Sequence, residues 1–337
     1  MMVREYLKLA RSFNAVLTGI SPVMGAIAMQ QYNLLNLFLL FLVGFLGHTY
    51  GFVLNDIMDY SIDKSSREIR DRPLVSGTIS IQKAWVFAFA SMITAFIIAF
   101  YIAFATQRFF SLVILATSAF FITIYDLVSK KFPLMDIFVA LSIFFLILYG
   151  AATVVENVNQ ITTIAWIVCT LGSIQVFFMQ TIAGGMKDIK NDFKKGAKTL
   201  AVKMGVRVIK GYLKVSRSFK TLAYTIQLVD IMVVSLPFFI IQEFRTQPPL
   251  QYFQWFTLGL ISILMLFFSH KLLTLKRFNR DKARKYIGLH YYTNFALVPI
   301  MLMTLNPWAG LLVFFPALGF ILSNIILHGT ILQPKTM

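Results

Sequence analysis

The sequence predicts an all-α membrane protein, a polytopic bundle of nine or ten transmembrane helices that forms a single domain over residues 1–337. Of these residues, 58% are hydrophobic and only 13% are charged, whereas soluble domains carry about a quarter charged residues. Apolar runs of about 20 residues, the length that crosses a bilayer as a helix, recur along the chain. The first ten residues lack the layout of a cleavable signal, so we expect the first span to be retained.

Ten apolar segments are long enough to be read as spans. They are residues 12–30, 34–55, 84–105, 109–126, 134–155, 161–185, 220–243, 252–273, 286–304 and 307–328. The break between the last two falls at Asn306 and Pro307, and proline interrupts helices. Nine spans with a broken terminal helix is therefore an alternative prediction.

The basic residues predict how these spans are oriented. All but two of the 31 Lys and Arg residues lie in the N-terminal segment, the even-numbered loops or the tail, and the exceptions are Arg108 and Arg245. By the positive-inside rule, the N-terminus and the even-numbered loops are cytoplasmic. The net charge of +17 then reflects topology and lipid contact, and we expect no nucleic-acid partner. Cys169 is the only cysteine, which excludes an intrachain disulfide.

A polar stretch directly follows the second span and is the first candidate site. Asn55, Asp59 and Asp63 are spaced at i, i+4 and i+8, so a continuing helix presents them on one face. Asp56 lies about 100° around that helix from Asn55 and falls at the edge of the face. Stacked carboxylates repel each other unless a cation lies between them, and hard oxygen ligands suit Mg²⁺ or Ca²⁺.

A second acidic cluster follows the sixth span. Asp188 and Asp192 are again spaced at i, i+4, and both clusters fall in even-numbered loops on one side of the membrane. Each is trailed by basic residues, which is typical of two halves of a diphosphate site. The alternative is that these are solvated acids paired with nearby bases. We expect the loop between Lys187 and Lys220 to form one or two short helices, either over the site or on anionic headgroups.

These motifs resemble those of the UbiA superfamily of intramembrane prenyltransferases. The residues of the first family signature are Asn55, Asp56, Asp59 and Asp63 with Arg72, Pro73 and Leu74. Those of the second are Asp188, Asp192, Gly196 and Thr199. Two shorter elements match at Tyr125 with Lys130 and at Arg11 with Asn14. Lys131 adjoins Lys130, and the family varies in spacing there.

The resemblance implies a helical bundle around a central cavity, in which the prenyl group of a polyprenyl diphosphate is joined to a hydrophobic acceptor and diphosphate is released. It implies Mg²⁺ bound by Asn55, Asp59, Asp63, Asp188 and Asp192, the four aspartates being the catalytic set. The diphosphate contacts are then Asn55, Arg11, Arg67, Arg72, Tyr125, Lys130 and Lys198. Mg²⁺ and positioned bases stabilise the negative charge that grows on a leaving diphosphate.

The acceptor is open at this point. Candidates are geranylgeranylglyceryl phosphate, an aromatic or quinone precursor, haem and a carotenoid. The segment from Ser65 to Arg70 departs from the Asn-Arg-Pro-Asn-Arg-Pro form associated with the ether-lipid branch, which weakens that assignment.

The alternative from another functional class is a transporter or channel with a cytoplasmic acidic gate, because intramembrane acids often mark ion pathways. Here the clustered acids lie at helix ends, and such transporters more often break their helices near the bilayer centre. Three further acids, Asp136, Glu156 and Asp230, are predicted to be interfacial. Gln180 and Gly184, at i−8 and i−4 from Asp188, are predicted to continue its face inward.

Overall fold

The computed structural model describes residues 2–64, 69–128, 134–196 and 199–331. The α-helices are α1 (Met2–Leu9), α2 (Ser12–Ala28), α3 (Leu34–Met58), α4 (Tyr60–Asp63), α5 (Ile81–Thr106), α6 (Phe110–Val128), α7 (Asp136–Ala152), α8 (Thr163–Phe178), α9 (Gly185–Lys195), α10 (Leu200–Lys203), α11 (Arg217–Ser235), α12 (Pro237–Ile240), α13 (Pro248–Leu273), α14 (Arg280–Leu302) and α15 (Phe314–His328). Short 3₁₀ segments are Val158–Gln160, Gln242–Arg245 and Pro307–Val313, a π-helix is Met179–Gly184, and two strands are β1 (Arg207–Ile209) and β2 (Tyr212–Lys214).

The predicted polytopic helical fold is confirmed. Within the described residues, seven helices are long and apolar enough to cross a membrane: Leu34–Met58, Ile81–Thr106, Phe110–Val128, Thr163–Lys190, Arg217–Ile240, Pro248–Leu273 and Pro307–His328. The other three predicted spans are also helical. Two of them, α2 and α7, have only 17 residues each, and α14 begins with a charged turn. The number of spans therefore stays a prediction.

Several long helices begin at a capping side chain. Asn33 accepts from the backbone N–H of Asn36, and Ser80, Ser216 and Asn279 cap α5, α11 and α14 in the same way. Such residues accept one of the backbone donors that the first helical turn leaves without a partner. The caps explain why polar residues precede the apolar runs at these positions.

The chain divides into two compact units. The first comprises Met1–Leu127, Phe145–Ala165 and Phe314–Met337, with α3 packed against both α2 and α5. Gly44 allows the close approach of α2 and α3, because a Cβ atom there would lie 2.6 Å from the carbonyl oxygen of Thr18. One turn further along α2, Gly150 packs against the backbone of Pro22. Small residues of this kind let membrane helices come close together.

The second unit comprises Val128–Phe144 and Trp166–Val313. The predicted short helices between Lys187 and Lys220 are only partly correct. The structure has the four-residue α10, followed by an antiparallel hairpin of β1 and β2. Lys210 and Gly211 have φ angles of 50° and 81°, the left-handed backbone that tight hairpin turns require. Val206 and Leu213 belong to a hydrophobic cluster with Met186 and Ile189 of α9, so the hairpin is anchored on that helix.

Candidate active site

The first acidic cluster lies where α3 passes into α4. Asp59 separates the two helices, yet the hydrogen bonds from Asp59 N to Asn55 O and from Asp63 N to Asp59 O are both 2.9 Å. The backbone therefore keeps the i to i+4 spacing through Asn55, Asp59 and Asp63. Asp63 is buried, whereas Asn55 and Asp59 are half-buried.

Two arginines hold the carboxylates of this cluster. Arg11 Nη2 donates to Asp56 Oδ1 at 2.6 Å, and Arg72 Nη1 lies 3.3 Å from the same oxygen and 2.5 Å from Asp63 Oδ2. Asp56, Asp63 and Arg11 are 5–8% exposed. Such buried charges persist only when they are paired and hydrogen-bonded. Asp56 thus joins both arginines, rather than lying at the edge of the cluster as the helical projection predicts.

Arg11 has a backbone geometry that sets it apart from the helices on either side. It lies between α1 and α2 with φ 46° and ψ 47°, a left-handed conformation that is uncommon for a non-glycine residue. Its guanidinium lies 4.8 Å from the ring centroid of Phe52, and its Nε is buried without a hydrogen-bond acceptor. A buried donor left without an acceptor costs free energy. The Nε–H of Arg11 is therefore a donor that a further anion would satisfy.

Asp126 contacts the first acidic cluster and was not predicted from the sequence. It lies near the end of α6, is 5% exposed, and its Oδ1 accepts a hydrogen bond of 3.1 Å from Asn55 Nδ2. Its Oδ2 is buried without a donor. One turn earlier, Thr123 shares a 2.8 Å hydrogen bond with Tyr50 of α3. A charged residue inside an apolar span is itself a functional signal, and that signal could have identified Asp126.

The second cluster lies on α9. Asp188 and Asp192 are one turn apart on this helix, which ends at Gly196 with φ 65°, a conformation suited to glycine. Arg280, at the start of α14, donates to Asp188 Oδ1 at 3.0 Å, and Lys187 Nζ lies 3.4 Å from Oδ2. Arg280 is 92 residues from its partner along the chain, and the sequence analysis did not assign it to the site.

The described residues contain no group of three or more His, Cys, Asp or Glu side chains arranged to hold a metal ion. Each acidic cluster nevertheless supplies carboxylate oxygens, the ligands that Mg²⁺ prefers. Mg²⁺ is usually held by one or two carboxylates, with water and substrate phosphate oxygens completing its shell. The donor set therefore fits a magnesium ion that is bound together with a phosphorylated substrate.

The remaining predicted site residues divide into two groups. Tyr125 is half-buried on α6, beside Asp126. Arg67, Lys130 and Lys198 lie outside the residues that the structure describes, so their roles stay predictions.

Two expectations about the flanking residues change. Asp230 is not interfacial, because it lies near the middle of the span Arg217–Ile240. It is 2% exposed there and accepts from Gln175 at 3.4 Å. Asp136, the first residue of α7, accepts a hydrogen bond of 3.2 Å from Thr181 Oγ1, and its interfacial position stays a prediction. The π-helix Met179–Gly184 directly precedes α9. Because its turns are wider than those of an α-helix, the α-helical spacing of i−4 and i−8 no longer predicts that Gln180 and Gly184 share a face with Asp188.

Sequence comparisons point to one family. The sequence model of the UbiA prenyltransferase family matches residues 16–286. A digeranylgeranylglyceryl phosphate synthase from Thermococcus kodakarensis is 33% identical over 208 residues, which is 61% of this chain and 70% of the relative. The synthase of the same name from Sulfurisphaera tokodaii is 26% identical over 212 residues, covering 61% and 72%.

Solved structures share the fold. A UbiA homolog from Aeropyrum pernix K1, solved in its apo form, aligns with a TM-score of 0.66 at 14% identity and covers 88% of this chain and 98% of that one. A UbiA homolog from Archaeoglobus fulgidus, bound to GPP and Mg²⁺, aligns with a TM-score of 0.58 at 15% identity, with 94% and 99% covered.

Proposed function

The chain belongs to the UbiA prenyltransferase family, and on that premise we propose that it transfers a prenyl group from a polyprenyl diphosphate to a hydrophobic acceptor, with Mg²⁺ and with release of diphosphate. The observation that carries the proposal is the buried network at the end of α3, in which Arg11 and Arg72 hold the carboxylates of Asp56 and Asp63. Acids and guanidinium groups at the end of a membrane helix suit a lipid substrate with a charged head.

Each cluster has a distinct chemical part in this proposal. Asn55, Asp59 and Asp63 would hold one magnesium ion, and Asp188 and Asp192 a second. When bound, Mg²⁺ would neutralise the charge that develops on the leaving diphosphate oxygen. Arg11 would donate its Nε–H to the diphosphate, and Arg72 would contribute positive charge beside it. Arg67, Tyr125, Lys130 and Lys198 are proposed as further diphosphate contacts by family resemblance.

We further propose a phosphorylated glyceryl ether lipid, of the geranylgeranylglyceryl phosphate type, as the acceptor. The named relatives described above are digeranylgeranylglyceryl phosphate synthases, a name that denotes a product with two geranylgeranyl groups. Prenylation of a hydroxyl on a singly prenylated glyceryl phosphate would give that product. The departure of residues 65–70 from the expected arginine-proline repeat favours keeping an aromatic quinone precursor as the second candidate.

The test uses purified protein in nanodiscs, radiolabelled geranylgeranyl diphosphate, and geranylgeranylglyceryl phosphate or 4-hydroxybenzoate as the acceptor, each with Mg²⁺ or with EDTA. We expect Mg²⁺-dependent product with the glyceryl phosphate lipid alone. Product with 4-hydroxybenzoate alone would reassign the acceptor and leave the reaction class intact. Folded protein that gives no product with either acceptor, across a series of donor lengths, would count against prenyl transfer.

Replacing a predicted metal-holding acid gives the first mutational prediction. Asp59→Ala and Asp188→Ala should each abolish turnover in protein that elutes as the wild type does, because each removes a carboxylate of one proposed ion. The matched control is Asp71→Ala, which removes an exposed acid of the loop after α4 and should leave the rate unchanged. Activity retained in both site variants would contradict the assignment of two acidic clusters to metal binding.

A further inference from the structure

The hairpin of β1 and β2 has one apolar face and one basic face. Val208 pairs with Leu213, and both pack toward the hydrophobic cluster of the second unit. The opposite face carries the pairs Arg207–Lys214 and Ile209–Tyr212, and all four residues are exposed.

A third segment extends this face. Leu213 N donates to Lys276 O, and Phe278 N to Gly211 O, each at 3.0 Å, and Tyr212 forms a bridge with Arg277. Bridged residues share a face, and the Arg277 guanidinium lies 5.4 Å from the centroid of the Tyr212 ring. We call Arg207, Ile209, Tyr212, Lys214 and Arg277 the basic hairpin face.

Within the part of the chain that the structure describes, no acid balances the charges on this face. No acid occurs in residues 206–216 or 274–278, and among the described residues none of Arg207, Lys214 and Arg277 forms an ion pair. Arg207 and Lys214 are direct cross-strand partners, and like charges placed opposite each other destabilise a ladder. An anion seated between them would remove that repulsion.

The position of the face in the chain identifies the source of the anion. Strand β2 ends at Lys214, and α11, the start of a membrane span, begins at Arg217. Similarly, the span α13 ends at Leu273, close before the bridged Arg277. We expect a segment so close to two span ends to lie at headgroup level. The exposed Ile209 and Tyr212, 41% and 50% accessible, suit that interface, where aromatic and apolar side chains meet basic ones.

We propose that the basic hairpin face binds the phosphate groups of anionic lipids in the protein's own membrane. Arg207 and Lys214 bind the headgroup, and Ile209 and Tyr212 insert into the interface beside it. The positive-inside tendency accounts for basic residues anywhere in this loop. It does not account for two of them facing each other on the outer face of an otherwise apolar ladder. Basic residues near an anionic leaflet are attracted to its surface, and this attraction acts on each of them.

The test places an environment-sensitive fluorophore on Ile209→Cys and compares nanodiscs of phosphatidylcholine with nanodiscs that also contain phosphatidylglycerol. Cys169 is fully buried and stays in place, and identically treated wild-type protein gives the background. We expect a blue-shifted emission and reduced iodide quenching only with phosphatidylglycerol, reversed by high salt because salt screens exposed charges. The same label is placed on Tyr212→Cys, the residue paired with Ile209. An equal response there shows that the result at Ile209→Cys does not come from a local structural change caused by that substitution.

Two double variants that remove the same amount of charge distinguish binding at this face from the general attraction of a basic protein to an anionic membrane. Arg207→Ala with Lys214→Ala should abolish the phosphatidylglycerol-dependent shift. Lys203→Ala with Lys282→Ala removes two exposed bases outside the hairpin face and should preserve it. Equal emission in both kinds of nanodisc, or equal loss in both double variants, would overturn the proposal. So would a shift that responds to soluble glycerol phosphate and not to phosphatidylglycerol, because the face would then serve a soluble phosphate.

Discussion

Asp126 holds Asn55 through the 3.1 Å hydrogen bond between α6 and α3, which makes it a positioning residue for the proposed metal site. Replacing Asp126 with Ala should weaken the apparent Mg²⁺ affinity by about 10–100-fold, the usual cost of losing an outer partner of a metal ligand. Titration of activity against Mg²⁺, together with calorimetric titration of Mg²⁺ and a diphosphate analogue, measures the change.

The matched control for Asp126 is Thr123→Val, because Thr123 makes the neighbouring hydrogen bond between the same two helices, at 2.8 Å to Tyr50. If Asp126 acts through Asn55, this control loosens the helix pair and leaves the Mg²⁺ affinity unchanged. Equal weakening in the two variants would show that helix packing, and not the orientation of Asn55, is responsible.

The ion pair of Arg11 and Asp56, 2.6 Å long, gives a prediction about stability. Removing one partner of a buried pair leaves an uncompensated charge and costs about 3–5 kcal/mol. Arg11→Met and Asp56→Asn should therefore each lower the thermal unfolding midpoint in detergent, and the double variant should lose less than the sum of the two. Additive losses would mean that the two side chains do not stabilise each other.

The local part of the candidate site could be predicted from sequence, and the distant part could not. The spacing of Asn55, Asp59 and Asp63 is set by consecutive hydrogen bonds within the backbone, so composition and helical period are enough to predict it. The contacts of Asn55 with Asp126 and of Arg280 with Asp188 join residues 71 and 92 positions apart. They depend on which helices pack together and how each is rotated, which no single-sequence pattern fixes.

At the scale of elements, helices were predictable from hydropathy because a membrane span needs a long apolar run. The hairpin at 207–214 was missed, although β-branched and aromatic residues around Gly211 are a recognised hairpin signal. This local signal was overridden because the apolar spans on both sides predict an all-helical chain. The π-helix Met179–Gly184 has no comparable signal, since its extra residue depends on the packing around it.

The contact between α2 and α3 can be tested at one glycine. In Gly44→Ala the new methyl group would lie 2.6 Å from the Thr18 carbonyl oxygen, and such overpacking costs about 1–3 kcal/mol. The unfolding midpoint should fall. Gly47→Ala, on the same helix with no atom within 4 Å of the added Cβ, should be neutral or stabilising because alanine favours helix. A loss at Gly47 equal to that at Gly44 would point to helix flexibility instead.

At the scale of the whole molecule, family membership establishes a multi-pass membrane protein, and the orientation of its ends remains our proposal. We propose, from the distribution of the basic residues, that the N-terminus and both acidic clusters lie on the cytoplasmic side. A diphosphate-releasing site facing the cytoplasm would have access to Mg²⁺ and to newly made prenyl diphosphates. The ion pair of Arg108 with Glu156, 2.9 Å long, would then belong to the outer surface, where one of the two exceptional bases is neutralised locally.

Cysteine labelling tests this orientation directly, because the native Cys169 is buried and does not compete for the reagent. Thr78→Cys lies in the loop between α4 and α5, and Asn159→Cys in the segment between α7 and α8, and both positions are exposed. A membrane-impermeant maleimide should label position 159 in intact cells, and position 78 only in inverted membrane vesicles. The reverse pattern would place the acidic clusters outside the cell, where the proposed intracellular donor could not reach them, and labelling of both positions in intact cells would require a different count of spans between them.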